Sequence, residues 1–540
     1  MTDFSKKRVL IIDDSQAMAS SLRMTLTNFG MTRSEMANTA GEALFRIRNR
    51  EFDMIVCDYN LGEGTDGQQL LETLRRQEVI LPSVVFLMVT AERQYEKVVL
   101  CAEMAPDDYL LKPFTAETMR VRLERVFEKK EAFAPIYHQL IQNDIGAALA
   151  ACDTLLVDRT RYVIDVMRMK GELLLELGRE EEAQQLYEQI LATRAVPWAR
   201  LGLARAMRAT GELDAANDQL QLAIEEMPEF LPAYDLLAKV EEEQGDTEKA
   251  QQTLDKAIKV SPGNVTRQTA FGEVAYRNGD LTTAAQAFGR VVESNRNAFM
   301  RSPQEFVNLG RIQLEQQQFD KALQTLNGAR SVFGDDPQME LSVSTMESLT
   351  HQVAGNADKA RDALDRALAA RDQARLNLGD ATALDLAKAC FLNGKEDEAR
   401  ALVKEMTSNF YDDTRLQQSV RQMLKSVGRE HESKSLVEDS AMEVVKLNNE
   451  GVLLARQGNL QGAIDLLLEA SHRMPQNIQL ALNAAQAMIV ESDRYGWNTE
   501  HMKVAQQLLA VHETRYGKLD KFKKIKVMMK DVGAKFGVDL

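Results

Sequence analysis

The chain holds 540 residues, with 66 Lys plus Arg against 81 Asp plus Glu, a formal net charge of −15 and an apolar fraction of 44%. The acidic surplus, with a pI near 5.2, excludes a protein that grips phosphate backbones by bulk charge, because each neutralised phosphate needs a basic side chain; no nucleic-acid partner is expected. Four cysteines, Cys57, Cys101, Cys152 and Cys390, show no CxxC spacing, which argues against a disulfide framework or a zinc site and for a reducing, cytoplasmic setting. No stretch approaches the roughly 18 apolar residues of a membrane span. The first apolar run, Val9 to Ile12, meets Asp13 and Asp14 too early to be a signal-peptide core, so no membrane partner is expected.

In the first 130 residues, short apolar runs alternate with amphipathic stretches. Val9 to Ile12, Met54 to Cys57, Val84 to Val89 and Tyr109 to Leu111 read as buried strands. Such alternation predicts an α/β doubly wound parallel sheet, and sheets of this kind carry their chemistry at the carboxyl ends of the strands. Those ends hold Asp13 and Asp14, then Asp58, Thr90 and Lys112, the last followed by Pro113. Three carboxylates in one crevice repel one another and suit a hard divalent cation such as Mg²⁺. A lysine ammonium and a threonine hydroxyl beside them suit phosphoryl oxygens, which leaves one carboxylate to act as a nucleophile.

Residues 5 to 130, on these motifs, resemble a CheY-like response-regulator receiver domain with a five-stranded sheet. The resemblance implies that Asp58 is the phospho-acceptor, that Asp13 and Asp14 hold Mg²⁺ with Asp58, and that Asn60 lends a backbone carbonyl to the metal. It implies that Thr90 is the switch hydroxyl, Lys112 the lysine that serves the phosphoryl group, and Tyr109 the aromatic that turns inward with it. The Lys112–Pro113 bond is expected to be cis. Asn60 and Glu92 match the positions that flank the attacking water, so fast self-dephosphorylation is expected. Gly62, Gly64 and Gly67 stand where a proline often follows the acceptor, and they make that loop permissive. Beyond this self-catalysed phosphoryl transfer no enzyme activity is expected.

The remaining 400 or so residues repeat. Gly211, Ala216, Leu220, Ala223 and Pro228 recur as Gly245, Ala250, Leu254, Ala257 and Pro262, and again as Gly279, Ala284, Phe288 and Val291, each step 34 residues. The frame returns around Gly178, Ala322, Ala360, Ala399 and Ala463, and weakly around Ala148. Glycine precedes the second helix of each unit, where a turn needs positive φ, and small residues mark where two helices meet closely. The pattern resembles the tetratricopeptide repeat, whose small residue of the first helix appears as Gly171, Ala238, Gly272, Gly310, Ala387 and Gly451. The expected organisation is a receiver at 1–130, then an all-α helical-repeat solenoid at 135–515 of about nine to eleven helical pairs, one of them degraded near 412–440. A basic amphipathic capping helix follows at 516–540.

Repeats of this kind carry no catalytic inventory and present a concave face to a peptide. The last receiver helix runs into the first repeat helix near Pro135 with no Gly- or Ser-rich spacer, so coupling is expected to be short and mechanical. The sequence therefore predicts a two-component response regulator: a histidine kinase or phosphotransfer protein charges Asp58, and the receiver exposes, blocks or dimerises an array that holds an unidentified protein partner on its concave face. A constitutive scaffold, whose receiver only docks a kinase or serves as a phosphate sink, is the alternative. A transcriptional regulator is a weaker one. Neither the kinase, the repeat ligand, the sign of regulation, the oligomeric state nor the pathway is readable from the sequence.

Overall fold

The structure, a computed structural model, describes residues 4–62, 66–76, 79–90, 106–158, 160–295, 302–374, 377, 379, 381–517 and 519–538. Gly64, and Glu92 and Cys101 within the segment 91–105, lie outside these residues.

Five strands open the chain: β1 (Arg8–Ile12), β2 (Arg33–Ala37), β3 (Met54–Asp58), β4 (Val85–Thr90) and β5 (Asp108–Leu111). All pair in parallel, in the order β2-β1-β3-β4-β5. Side chains alternate between faces along a strand, and both faces are covered. Val9, Ile11, Met54, Val56, Leu87 and Val89 pack with helices α1 (Gln16–Asn28) and α4 (Ala116–Ala132). Leu10, Ile12, Ile55, Cys57, Phe86 and Met88 pack with α2 (Ala40–Asn49) and α3 (Gly67–Arg76). Burial on two sides explains why the central strands read as unbroken apolar runs. Edge strand β2, Arg-Ser-Glu-Met-Ala, has only Ala37 fully buried, and so lacks such a run.

Helix α4 passes through Phe133 directly into helix Ala134–Ile141, and Phe133 caps both. Its ring is 2% exposed and lies near Tyr137 and Tyr162, at centroid distances of 6.0 and 6.3 Å. Around it, Lys129 bonds Asp165 (2.5 Å), Arg161 pairs with Glu128, and Lys130 bridges Asp107 (2.9 Å) and the Pro82 carbonyl (2.5 Å). The helix that closes the sheet is thus fastened to the first helical pairs.

From residue 134 onward, successive helices pack in antiparallel pairs, and the second helix of each pair buries its predicted alanine: Ala183, Ala216, Ala250, Ala284, Ala322, Ala360, Ala399 and Ala463 are all 0% exposed. The turn before that helix takes positive φ at the predicted glycines, for example +86° at Gly211 and +87° at Gly245. Where the frame lacks glycine, Asn143 (φ 57°) and Gln317 (φ 60°) adopt the same conformation. Gly171 lies where an added Cβ would come 2.5 Å from Tyr187, and Gly202, absent from the predicted set, where it would come 2.2 Å from the same ring. Near 412–440, helix Thr414–Ser426 is followed by a 3₁₀ turn at Glu430–Glu432 and a π turn at Lys434–Glu438 in place of a full second helix. Helix Asp520–Lys535 buries Phe522, Ile525, Met529 and Val532 against the preceding pair. The chain forms two compact units, Met1–Glu305 and Phe306–Leu540.

Candidate functional site

Strand order reverses direction between β1 and β3, the switch point at which a doubly wound sheet opens a crevice beyond its strand ends. Asp13 follows β1 there, fully buried, while Asp14 is exposed. Ser15 caps α1 with its hydroxyl oxygen, which accepts from the Met18 amide, and its own amide donates to Asp13 Oδ1 at 2.9 Å and fixes that carboxylate. Asp58 ends β3, next to Asp13 across the ladder, and Thr90, 4% exposed, ends β4. Lys112 follows β5; its amide donates to the Thr90 carbonyl at 2.7 Å and its peptide bond to Pro113 is cis.

Its ammonium closes the crevice. Lys112 Nζ donates to Asp58 Oδ2 at 2.9 Å and to Asp13 Oδ2 at 3.4 Å. Oxygens of Asp13, Asp14 and Asp58 lie within 4.8 Å of one another. Burial raises the Asp58 pKa, and the nearby Asp13 charge adds to this, against the opposing pull of Lys112. Burial works to lower the Lys112 pKa, but the bonds and charges of Asp58 and Asp13 outweigh it and the net shift is upward. Three carboxylates against one ammonium leave a cluster of oxygen donors with surplus negative charge, a set that suits a hard divalent cation.

Two close approaches shape the floor. Gly62, at φ +79°, would place a Cβ 3.1 Å from Asp14 Oδ2, and Gly67 would place one 2.1 Å from the Asp58 carbonyl oxygen. A side chain at Gly67 would push α3 off the strand end that carries Asp58. Asn60 is exposed, and its Oδ1 accepts from the Gly62 amide at 3.2 Å. Tyr109 is partly exposed, at 37%. Cys57 is buried beneath the site. The structure thus brings together Asp13, Asp14, Asp58 and Lys112, with Thr90 at the neighbouring strand end; Glu92 is not among the described residues. Sequence reasoning passed over Ser15, although a serine directly after two aspartates and before a helical pattern is a cap signal.

Comparison with known proteins finds two families along the chain. The family model described as response regulator receiver domain matches residues 9–124, and that of the tetratricopeptide repeat matches 168–229, 236–299 and 269–340. The chemotaxis protein CheY-3 of Vibrio cholerae serotype O1 is 32% identical over 122 residues, which span 23% of this chain and 92% of the relative. Among solved structures, a CheY-like receiver domain protein from Methanospirillum hungatei JF-1 is 30% identical (TM-score 0.22) over 23% of this chain and 96% of its own. The C-terminal part of a TPR repeat-containing protein from Cytophaga hutchinsonii is 16% identical (TM-score 0.38) over 45% of this chain and 96% of its own. Through its N-terminal domain the chain belongs to the CheY-like response-regulator receiver family, and tetratricopeptide repeats follow that domain.

Proposed function

We propose that the protein is a phosphorylation-gated adaptor: a histidine kinase or phosphotransfer protein charges Asp58, and the state of Asp58 governs access of a protein partner to the repeats. The observation that carries this reading is the Lys112 ammonium held between Asp58 and Asp13 beside a third carboxylate. A sheet needing only stability would not gather three like charges at one strand-end crevice.

Asp13, Asp14, Asp58 and the Asn60 carbonyl would hold Mg²⁺, whose charge would offset that of the phosphoryl oxygens. The chain's own groups do the rest. Asp58 supplies the attacking oxygen; a P–O bond forms as the P–N bond to the donor histidine breaks, and the imidazole leaves with a proton. Lys112, already aimed at Asp58, pairs with a phosphoryl oxygen, and the Thr90 hydroxyl donates to another. Thr90 moving towards the phosphoryl group leaves space for the Tyr109 ring, and this reshapes the face of β5 and α4. Asn60 and Glu92 orient the water that later hydrolyses the acyl phosphate, so isolated phosphoprotein is expected to lose its label within minutes. Retention for many hours would remove that role.

The continuity of α4 with the first repeat helix, locked by Phe133, supports short-range coupling between the two parts. The domain limits we adopt are 1–130, 135–515 and 516–540. The test is a pull-down from native cytosol with Asp58→Ala protein and with wild-type protein bearing beryllofluoride and Mg²⁺. Gating predicts unequal partner recovery. Equal recovery favours a constitutive scaffold, and specific recovery of DNA favours a transcriptional role.

A further inference from the structure

Within the C-terminal unit, helices Asp439–Arg456, Ile478–Tyr495 and Asp520–Lys535, with Leu460 and Leu467 of helix Leu460–Arg473, line a groove of about 590 Å³. Asn448 and Arg456 face it from the first helix, Gln479, Asn483 and Arg494 from the second, and Lys521 from the third. No Asp or Glu lines it, although the chain as a whole carries a net charge of −15.

The cations in this groove lack counter-ions. Lys521 Nζ donates to neutral amides, Asn483 Oδ1 at 2.7 Å and Gln479 Oε1 at 3.3 Å, and Asn483 Nδ2 in turn donates to Asn448 Oδ1 at 2.6 Å. Among the described residues, no carboxylate lies within the 4.0 Å limit of an ion pair to Lys521, Arg456 or Arg494. Some other cations of the same unit are matched: Arg330 pairs with Glu340 and Glu347, Arg400 with Glu396 and Glu432. Burial lowers the pKa of Lys521, with no carboxylate opposing it. A partly desolvated ammonium among amides gains most when an anion arrives.

We propose that this groove binds an extended acidic peptide segment of a partner protein, with carboxylates on Arg456, Arg494 and Lys521 and main chain on the amides of Asn448, Gln479 and Asn483. Side-chain amides both donate and accept, which matches the alternating N–H and C=O groups of an extended peptide. A nucleic acid fits less well: no aromatic side chain lines the groove for bases to stack on. The proposal rests on the reading of the repeats as a protein-binding output, and it names the chemistry of the ligand.

The test uses the full-length protein and a fluorescein-labelled decapeptide of alternating Glu and Ala, followed by anisotropy at low salt. The peptide should bind at least tenfold more tightly than its Gln-Ala counterpart. The exposed double variant Arg456→Gln/Arg494→Gln should weaken it at least tenfold, and Lys521→Gln should weaken it several-fold, with circular dichroism unchanged. Equal binding of the Gln-Ala peptide, an unaffected double variant, or displacement by an equimolar decathymidylate would overturn the proposal. Repeating the titration with beryllofluoride and Mg²⁺ separates the two claims. An affinity that does not change between states keeps the groove while counting against gating, whereas absence of binding in both states overturns the groove alone.

Discussion

Asp58 sits in a crowded electrostatic position, and its raised pKa gives a signed prediction. The folded state holds the Asp58 proton more tightly than the unfolded chain does. Without a divalent cation, ionised Asp58 therefore costs stability above its folded pKa, and that cost is relieved as pH falls through it. In chelator at neutral pH, Asp58→Asn should be about 1 kcal/mol more stable than wild type. Desolvation of the buried carboxylate, with the Asp13 charge adding to it, outweighs a lost charge-assisted bond to Lys112 worth about 2 kcal/mol. The gap should shrink as pH is lowered, read from urea unfolding midpoints; a gap that widens would contradict the assignment. Mg²⁺ at about 100 times its dissociation constant should add about 2.7 kcal/mol to wild type and much less to the variant.

The site residues were legible because each is a polar group that breaks an apolar run at a strand end, a place where sequence pattern and chemistry coincide. Tyr187 shows the opposite case. Its hydroxyl is buried with no hydrogen-bond partner among the described residues, which no pattern of apolar spacing reports. Since an unsatisfied hydroxyl adds nothing to the fold, Tyr187→Phe should leave stability unchanged or raise it by up to about 1 kcal/mol. A loss greater than that would mean the hydroxyl has a partner.

Among the elements, the glycine-led frame of the repeats was readable because a backbone requirement, positive φ before the second helix, restricts residue choice. Gln317 meets that requirement at a cost, so Gln317→Gly should stabilise the second unit by roughly 0.5–1 kcal/mol, checked by thermal unfolding. Gly202 was not singled out because its constraint comes from the Tyr187 ring of the neighbouring helix, across a contact that the sequence does not display. Gly202→Ala forces a Cβ into that ring and should cost about 1–3 kcal/mol; wild-type stability would refute the close approach. Strand β2 escaped the apolar-run criterion because an edge strand buries few of its residues. The 3₁₀ and π turns at 430–438 were visible only as a degraded copy. What fixes them is a set of contacts outside the repeat frame: Glu432 with Arg400, and the Thr407 hydroxyl donating to the Leu436 carbonyl at 2.8 Å.

For the molecule as a whole, the sequence told the receiver from the repeats by a change of period, and the step between the frame alanines lengthens from 34 residues to 38 between Ala284 and Ala322, the interval that holds the division into compact units after residue 305. The groove at Arg456, Arg494 and Lys521 was hidden, because its cations come from three separate helices. The junction is where the account stands or falls. Phe133 is buried between the last receiver helix and the first repeat pairs, ringed by the Lys129–Asp165, Arg161–Glu128 and Lys130–Asp107 pairs. On the gating proposal, a change at the Asp58 end of the sheet would reach the repeats through it.

The direct measurement is amide hydrogen exchange of the full-length protein with and without beryllofluoride and Mg²⁺, followed over residues 133–176. Gating predicts that exchange in this segment changes at least threefold in wild type and not at all in Asp58→Asn protein; a change confined to residues 4–132 in wild type would contradict it.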